Sequence, residues 1–188
     1  MGRYKSRRHR VLTQIFEQSL EQFFQREAQN ILSGVSERNL CSRLAIPLET
    51  ITHQNGLSTY YADTEYNRKQ NGRVKTMLDD DMQVINITCD LILHSRGEVM
   101  ARDNLIAIEM KKSERPEEEK ASDRARLRTL TKASFDDVWS FDGQTHPEHV
   151  CGYEVGYFIE LDKDNNYYSV QQFQNGQFIS EFKGSFGL

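Results

Sequence analysis

Residues Cys89–Ser113 read CDLILHSRGEVMARDNLIAIEMKKS, and the charges in this stretch decide how the whole chain is read. Asp90 opens a short apolar run, Leu91-Ile92-Leu93. A turn follows at Arg96-Gly97, and a second apolar run, Leu105-Ile106-Ala107-Ile108, ends in Glu109-Met110-Lys111. Side chains two apart on a strand point to the same face, so Glu109 and Lys111 emerge together, roughly 7 Å apart along the backbone. A carboxylate at the end of so buried a run costs several kcal/mol unless something compensates it. Two carboxylates and a backbone carbonyl are the hard oxygen ligands that suit Mg²⁺, which makes a divalent cation the natural compensator. The bland alternative is a charge pair at a strand end that serves solubility.

Toward the N-terminus, Val11–Leu32 carries Leu12, Ile15, Phe16, Leu20, Phe23, Phe24 and Ile31 at helical spacing and is stopped by Ser33-Gly34. Such a helix packs across the core or against a second copy. Ser36 is the expected N-cap of a second helix running to about His53, with a kink at Pro47. Tyr60–Asn67 reads as a strand, and Lys69–Asp81 as a mobile loop with a turn at Asn71-Gly72. Ile85–His94 and Asn104–Lys112 are the strands of the central stretch. Beyond them Pro116 and the acids Glu117, Glu118 and Glu119 open a helix to about Lys132. Phe135–Val150 reads as irregular. Strands follow over Tyr153–Leu161 and Tyr167–Phe182, the second folded into a hairpin at Asn175-Gly176.

A chain of 188 residues fits one domain, which at this size buries about 70% of its unfolded surface. The reading is a basic tail over residues 1–10 followed by a single domain over 11–188. A hydrophobic content of 37% and a mean hydropathy of -0.70 describe a modest core, and no apolar stretch reaches the roughly 20 residues of a membrane span. The basic start is not followed by an apolar signal-peptide segment. Cys41, Cys89 and Cys151 are widely spaced and odd in number, which suits the reduced thiols of a cytoplasm. The net charge of -4 argues mildly against a nonspecific nucleic-acid binder. Metal-holding acids count in that total, however, and positive charge gathers in the tail and along Lys120, Arg124, Arg128 and Lys132.

An aspartate opening one strand and Glu-x-Lys ending the next resemble the core of the PD-(D/E)xK superfamily of restriction-endonuclease-like nucleases. The resemblance extends to a group of uncharacterised bacterial proteins within it that share a running order. Glu37-Arg38-Asn39-Leu40 lies on an early helix and Glu65-Tyr66-Asn67-Arg68 on a first strand. Asp90–Lys112 follows, and a late strand runs from Gly152-Tyr153 to Leu161, so the resemblance covers roughly Ser36 to Leu161. Cys89 stands where a proline gives the family its name; that proline only shapes the backbone before the aspartate.

The resemblance implies an α/β fold, a restriction-endonuclease-like mixed β-sheet flanked by helices, here with an N-terminal helical extension. It also implies a Mg²⁺-dependent endonuclease acting on DNA, with Mn²⁺ as a substitute ion. Asp90, Glu109 and the Met110 carbonyl then hold the metal, Lys111 positions the attacking water and stabilises transition-state charge, and Glu37 binds a second ion or orders water. The alternative is a catalytically idle fold of the same kind that binds nucleic acid or a protein partner. An intact Asp, Glu and Lys set counts against it. A homodimer is compatible with either reading, and neither involves a membrane.

Glu-x-Lys by itself is uninformative, since the chain contains it three times. Glu118-Glu119-Lys120 reads as the solvated start of a helix, and Glu181-Phe182-Lys183 as part of a half-exposed antiparallel strand with its charges in water. Glu37 lines up at 100° per residue with Cys41, Leu44, Leu48 and Ile51, so its carboxylate faces the apolar side. It reads equally as a metal-site residue and as an acid complementing the helix dipole. Asp63 and Glu65 share a strand face and either approach the site or decorate an edge strand. His94 lies roughly 13 Å along the strand from Asp90, too far for a shared metal, and reads as a phosphate contact or a surface histidine. Lys120, Arg124, Arg128 and Lys132 either follow a phosphate backbone or form a solvated helix face. Asp162–Asn166 begins like a calcium loop but has Tyr167 where glycine is required and Phe173 where glutamate is required, so it is a hairpin turn. His146, His149 and Cys151 lack a second ligand pair at zinc spacing.

Overall fold

The computed structural model describes residues 7–65, 76–78, 84–86, 89–132 and 152–187. Its helices are α1 (Arg7–Leu32), α2 (Glu37–Gln54) and α3 (Glu117–Leu130). The strands are β1 (Tyr61–Thr64), β2 (Thr76–Leu78), β3 (Val84–Asn86), β4 (Leu91–His94), β5 (Asn104–Lys112), β6 (Val155–Asp162), β7 (Tyr167–Gln174) and β8 (Gln177–Ser185). Six strands form one mixed sheet in the order β1-β4-β5-β6-β7-β8, and β2 pairs with β3 apart from it. All neighbours in the large sheet are antiparallel except β5 and β6, which run parallel from Ile106 opposite Val155 to Lys112 opposite Leu161. A parallel pair needs a crossover connection, and the chain makes it through α3.

The sheet is covered on both faces, which is why β5 reads as an unbroken apolar run rather than an alternating one. Ile106, Ile108 and Met110 join Leu12, Phe16, Leu40, Leu44 and Leu48 in the core under α1 and α2. Ala107 points the other way, with Ile92, Phe158 and Phe173, against Leu127 and Leu130 of α3. Phe16 stacks on Tyr157 of β6 with ring centroids 3.6 Å apart, so α1 crosses the core of its own chain. Gly34, at φ +80, ends α1: its amide bonds to Ile31 and that of Val35 to Asn30, the paired bonds of a left-handed C-terminal cap. Ser36 caps α2 by accepting the Asn39 amide. Asn175 and Gly176 both have positive φ and turn β7 into β8.

Several boundaries differ from expectation. Helix α1 begins at Arg7 rather than at Val11, and buried His9 meets Gln172 of β7 at 3.0 Å. The strand expected over Ile85–His94 is two strands, β3 and β4, with Asp90 just ahead of the second. Part of the expected loop Lys69–Asp81 is strand, because Thr76–Leu78 finds a partner in Val84–Asn86. The remainder of that loop, the Asn71-Gly72 turn, the end of the first strand beyond Glu65, and the irregular Phe135–Val150 with its histidines and Cys151 lie outside the described residues. Asp162 does form a hairpin turn, accepting the amides of Asp164 and Asn165. Among the described residues, no helix is long and apolar enough to cross a membrane.

Candidate functional site

Antiparallel pairing of β4 with β5 sets Leu91 opposite Ile108, which brings Asp90 to the level of Glu109 at the end of the ladder. Asp90 and Ile92 share the α3 face of the sheet with Ala107, Glu109 and Lys111. Asp90 Oδ2 accepts the Met110 amide at 2.9 Å, and the Asp90 amide faces Glu109 Oε2 at 3.4 Å. Lys111 Nζ lies 3.8 Å from Asp90 Oδ2. Three residues read from sequence as a site are therefore brought together by two adjacent strands.

Helix α3 adds two more. Asp123 Oδ2 is 2.9 Å from Lys111 Nζ, and Arg126 bridges Glu109 Oε1 at 2.6 Å and Asp123 Oδ1 at 3.1 Å. Neither was singled out from the sequence, yet a signal existed. Lys120, Asp123, Leu127 and Leu130 recur at helical spacing and are the buried stripe of α3, so an acid in that stripe points inward as surely as a leucine does.

Glu109 has no exposed surface. Burial first, and then the charge of Asp90, push its carboxyl well above the usual range, with Arg126 opposing. Burial works against the charge of Lys111, but Asp90 and Asp123 outweigh it and raise the ammonium's pKa. Three carboxylates thus share two cations. Among the described residues, no group of three or more His, Cys, Asp or Glu side chains is arranged to hold a metal ion. Cys89 and Cys41 flank the cluster, and burial raises both thiols well above their ordinary value, which makes them poor nucleophiles.

Glu37 sits beside this cluster as the end clamp of β5. Its Oε1 accepts the Lys112 amide at 3.0 Å and pairs with Arg115 Nε at 3.1 Å. The other acids expected near the site point elsewhere. Asp63 is held by His94 at 2.9 Å and by both arms of Arg96, while the Glu65 side chain pairs with Arg38 at 3.1 Å and its amide donates to the Asp90 carbonyl.

Two residues read as phosphate contacts or as solvated surface side chains are buried. His94 is 1% exposed and turned onto Asp63. Lys120 is 8% exposed; its ammonium donates to the Ser113 carbonyl and pairs with Glu160 at 3.1 Å, because position 120 belongs to the inward stripe of α3 and not to its solvated start. Arg128 is exposed and Arg124 half-buried, and their guanidinium groups lie 5.3 Å over the Phe173 ring and 5.2 Å over the Phe158 ring. Arg124 also pairs with Glu117.

Comparison of the chain with protein-family models, with curated proteins and with solved structures returns no match.

Proposed function

We propose that this chain is a Mg²⁺-dependent nuclease of the restriction-endonuclease-like kind that hydrolyses DNA phosphodiester bonds. The observation that carries the reading is the convergence of Asp90, Glu109 and Lys111 at adjoining ends of two paired strands, on one face of the sheet. The chain order supports it: α2, then β1, β4 and β5 as an antiparallel meander, then α3, then β6 parallel to β5 agrees with the mixed sheet that the superfamily resemblance implies.

The donor set suits Mg²⁺. Asp90 and Glu109 offer hard carboxylate oxygens, and the Met110 carbonyl lies on the same strand edge as the amide that meets Asp90, since both groups of one strand residue point to the same neighbour. Burial and Asp90 both disfavour the charge on Glu109, an electrostatic setting that a cation relieves. Bound there, Mg²⁺ supplies Lewis acidity toward a phosphoryl oxygen and lowers the pKa of a coordinated water. Asp123 aims the Lys111 ammonium toward Asp90, where its positive charge stabilises the oxyanion of the transition state. Arg126 holds Glu109 Oε1 and leaves Oε2 directed at Asp90.

One observation favours a second reading, an idle nuclease-like fold that binds nucleic acid or a protein. Lys111 and Arg126 already compensate the acids, so the fold stands without metal. Incubation with supercoiled, linear and single-stranded DNA and with RNA, with and without Mg²⁺ or Mn²⁺, separates the two. DNA cleavage that requires the metal is the expected result. Binding without cleavage in every combination leaves the idle fold.

A further inference from the structure

The two edges of the sheet are unlike. Strand β1 is four residues long, packs against α2, and has its Ala62 amide taken by Glu49 Oε2 at 2.8 Å. Strand β8 is nine residues long and exposed along most of its length, with Phe178 45% and Ile179 42% exposed. Among the described residues, nothing pairs with its outer side. An open edge is a template for another strand; β8 shows a register shift against β7 at Ile179 but is regular from Ser180 to Ser185, the stretch left open for pairing.

We propose that β8 is a dimer interface, at which two copies of this chain pair antiparallel about a twofold axis through Phe182. The register follows from charge. Residues opposite one another in an antiparallel ladder share a face, so a strand that pairs with itself about a twofold must be centred on a residue. Centring on Glu181 or on Lys183 sets like charges directly opposite, which is destabilising. Centring on Ser180 sets Glu181 against Ile179. Centring on Phe182 sets Glu181 opposite Lys183 of the second copy twice over, with the two Phe182 rings opposite each other and Ser180 opposite Gly184.

Within one copy Glu181 and Lys183 bond to each other at 3.0 Å, with side chains 31% and 57% exposed. A pair so exposed contributes little, so exchanging it for cross-strand pairs is nearly free. Phe182 also lines a groove of about 750 Å³ between α1 and β8, together with Leu20, Phe24, Tyr168 and Phe186. Pairing at Phe182 brings two such grooves together at the axis and covers their apolar rim, and a closed twofold consumes both open edges at once.

Sedimentation or light scattering at micromolar concentration tests this, with the native chain expected to be a dimer. Lys183→Glu and Glu181→Lys each turn both cross-strand attractions into repulsions and are expected to raise the dimer dissociation constant about ten-fold or more. The double variant Glu181→Lys/Lys183→Glu restores opposite charges and the dimer. Both side chains lie in solvent, so the variants keep the fold, which circular dichroism checks. A monomeric native chain, a dimer indifferent to Lys183→Glu, a double variant that stays monomeric, or open-ended assembly would each overturn the proposal.

Discussion

Glu109 and Asp63 are two carboxylates whose surroundings move them in opposite directions, and their pH signatures differ in sign. Glu109 is pushed up from the ordinary 4.5 by burial and by Asp90, so the folded chain binds its proton more tightly than the unfolded chain does. Its contribution is full below that ordinary value and is lost as pH rises toward the folded value. In metal-free buffer, Glu109→Gln should therefore lose less thermal stability than the native chain as pH rises above the ordinary 4.5, while DNA cleavage disappears. Cleavage by this variant at the native rate would remove Glu109 from the site. Asp90 calls for asparagine rather than alanine, since alanine strands the buried Met110 amide at about 1–3 kcal/mol. Asp63 is the reverse case. Burial alone would raise it, but the hydrogen bonds from His94 and Arg96 hold it far below the ordinary 3.8. That stability is present above the ordinary value and is lost as pH falls through the folded one. Asp63→Asn should cost about 1–2 kcal/mol at neutral pH and make the acid-side slope of a thermal midpoint measured against pH shallower.

At the scale of elements, Glu37 is a joint between α2 and β5. Its carboxylate accepts the Lys112 amide and meets Arg115, so Glu37→Gln keeps one acceptor and loses the charge. The expected result is a thermal midpoint lowered by the equivalent of about 0.5–1.5 kcal/mol, with the Mg²⁺ dependence of activity unshifted. A raised Mg²⁺ requirement with an unchanged midpoint would instead make Glu37 a ligand. Helix α3 is the other joint. Gly156 of β6 lets it approach closely, since a Cβ there would come within 3.0 Å of Thr131 and 3.2 Å of Leu127. That close packing places Asp123 and Arg126 over the end of β5.

For the whole molecule, a net charge of -4 leaves DNA attraction to local patches. With Lys120 buried and Lys132 past the end of the helix, the candidate stripe on α3 reduces to Arg124 and Arg128. Replacing both with glutamine should flatten the salt dependence of DNA binding by about one to two units of slope, because each phosphate contact contributes about 0.9. An unchanged slope would return both arginines to the role of covering Phe158 and Phe173.

The amino-acid pattern by itself determined what depends on neighbours along the chain. The limits of β5, the Ser36 cap, the Gly34 stop and the Asn175-Gly176 turn all follow from local chemistry that no distant contact overrides. The grouping of Asp90, Glu109 and Lys111 was legible for the same reason, since charges that interrupt apolar runs stand out at strand spacing. Only the tertiary structure decided which side chains meet across elements. Asp123 and Arg126 reach the site because α3 docks on the β5–β6 face, and His94 and Lys120 leave the surface because Asp63 and Glu160 are there to receive them. A charged side chain goes inward when the fold supplies a partner within hydrogen-bonding distance, and that partner is set by strand order and helix packing rather than by anything written beside the residue in the chain.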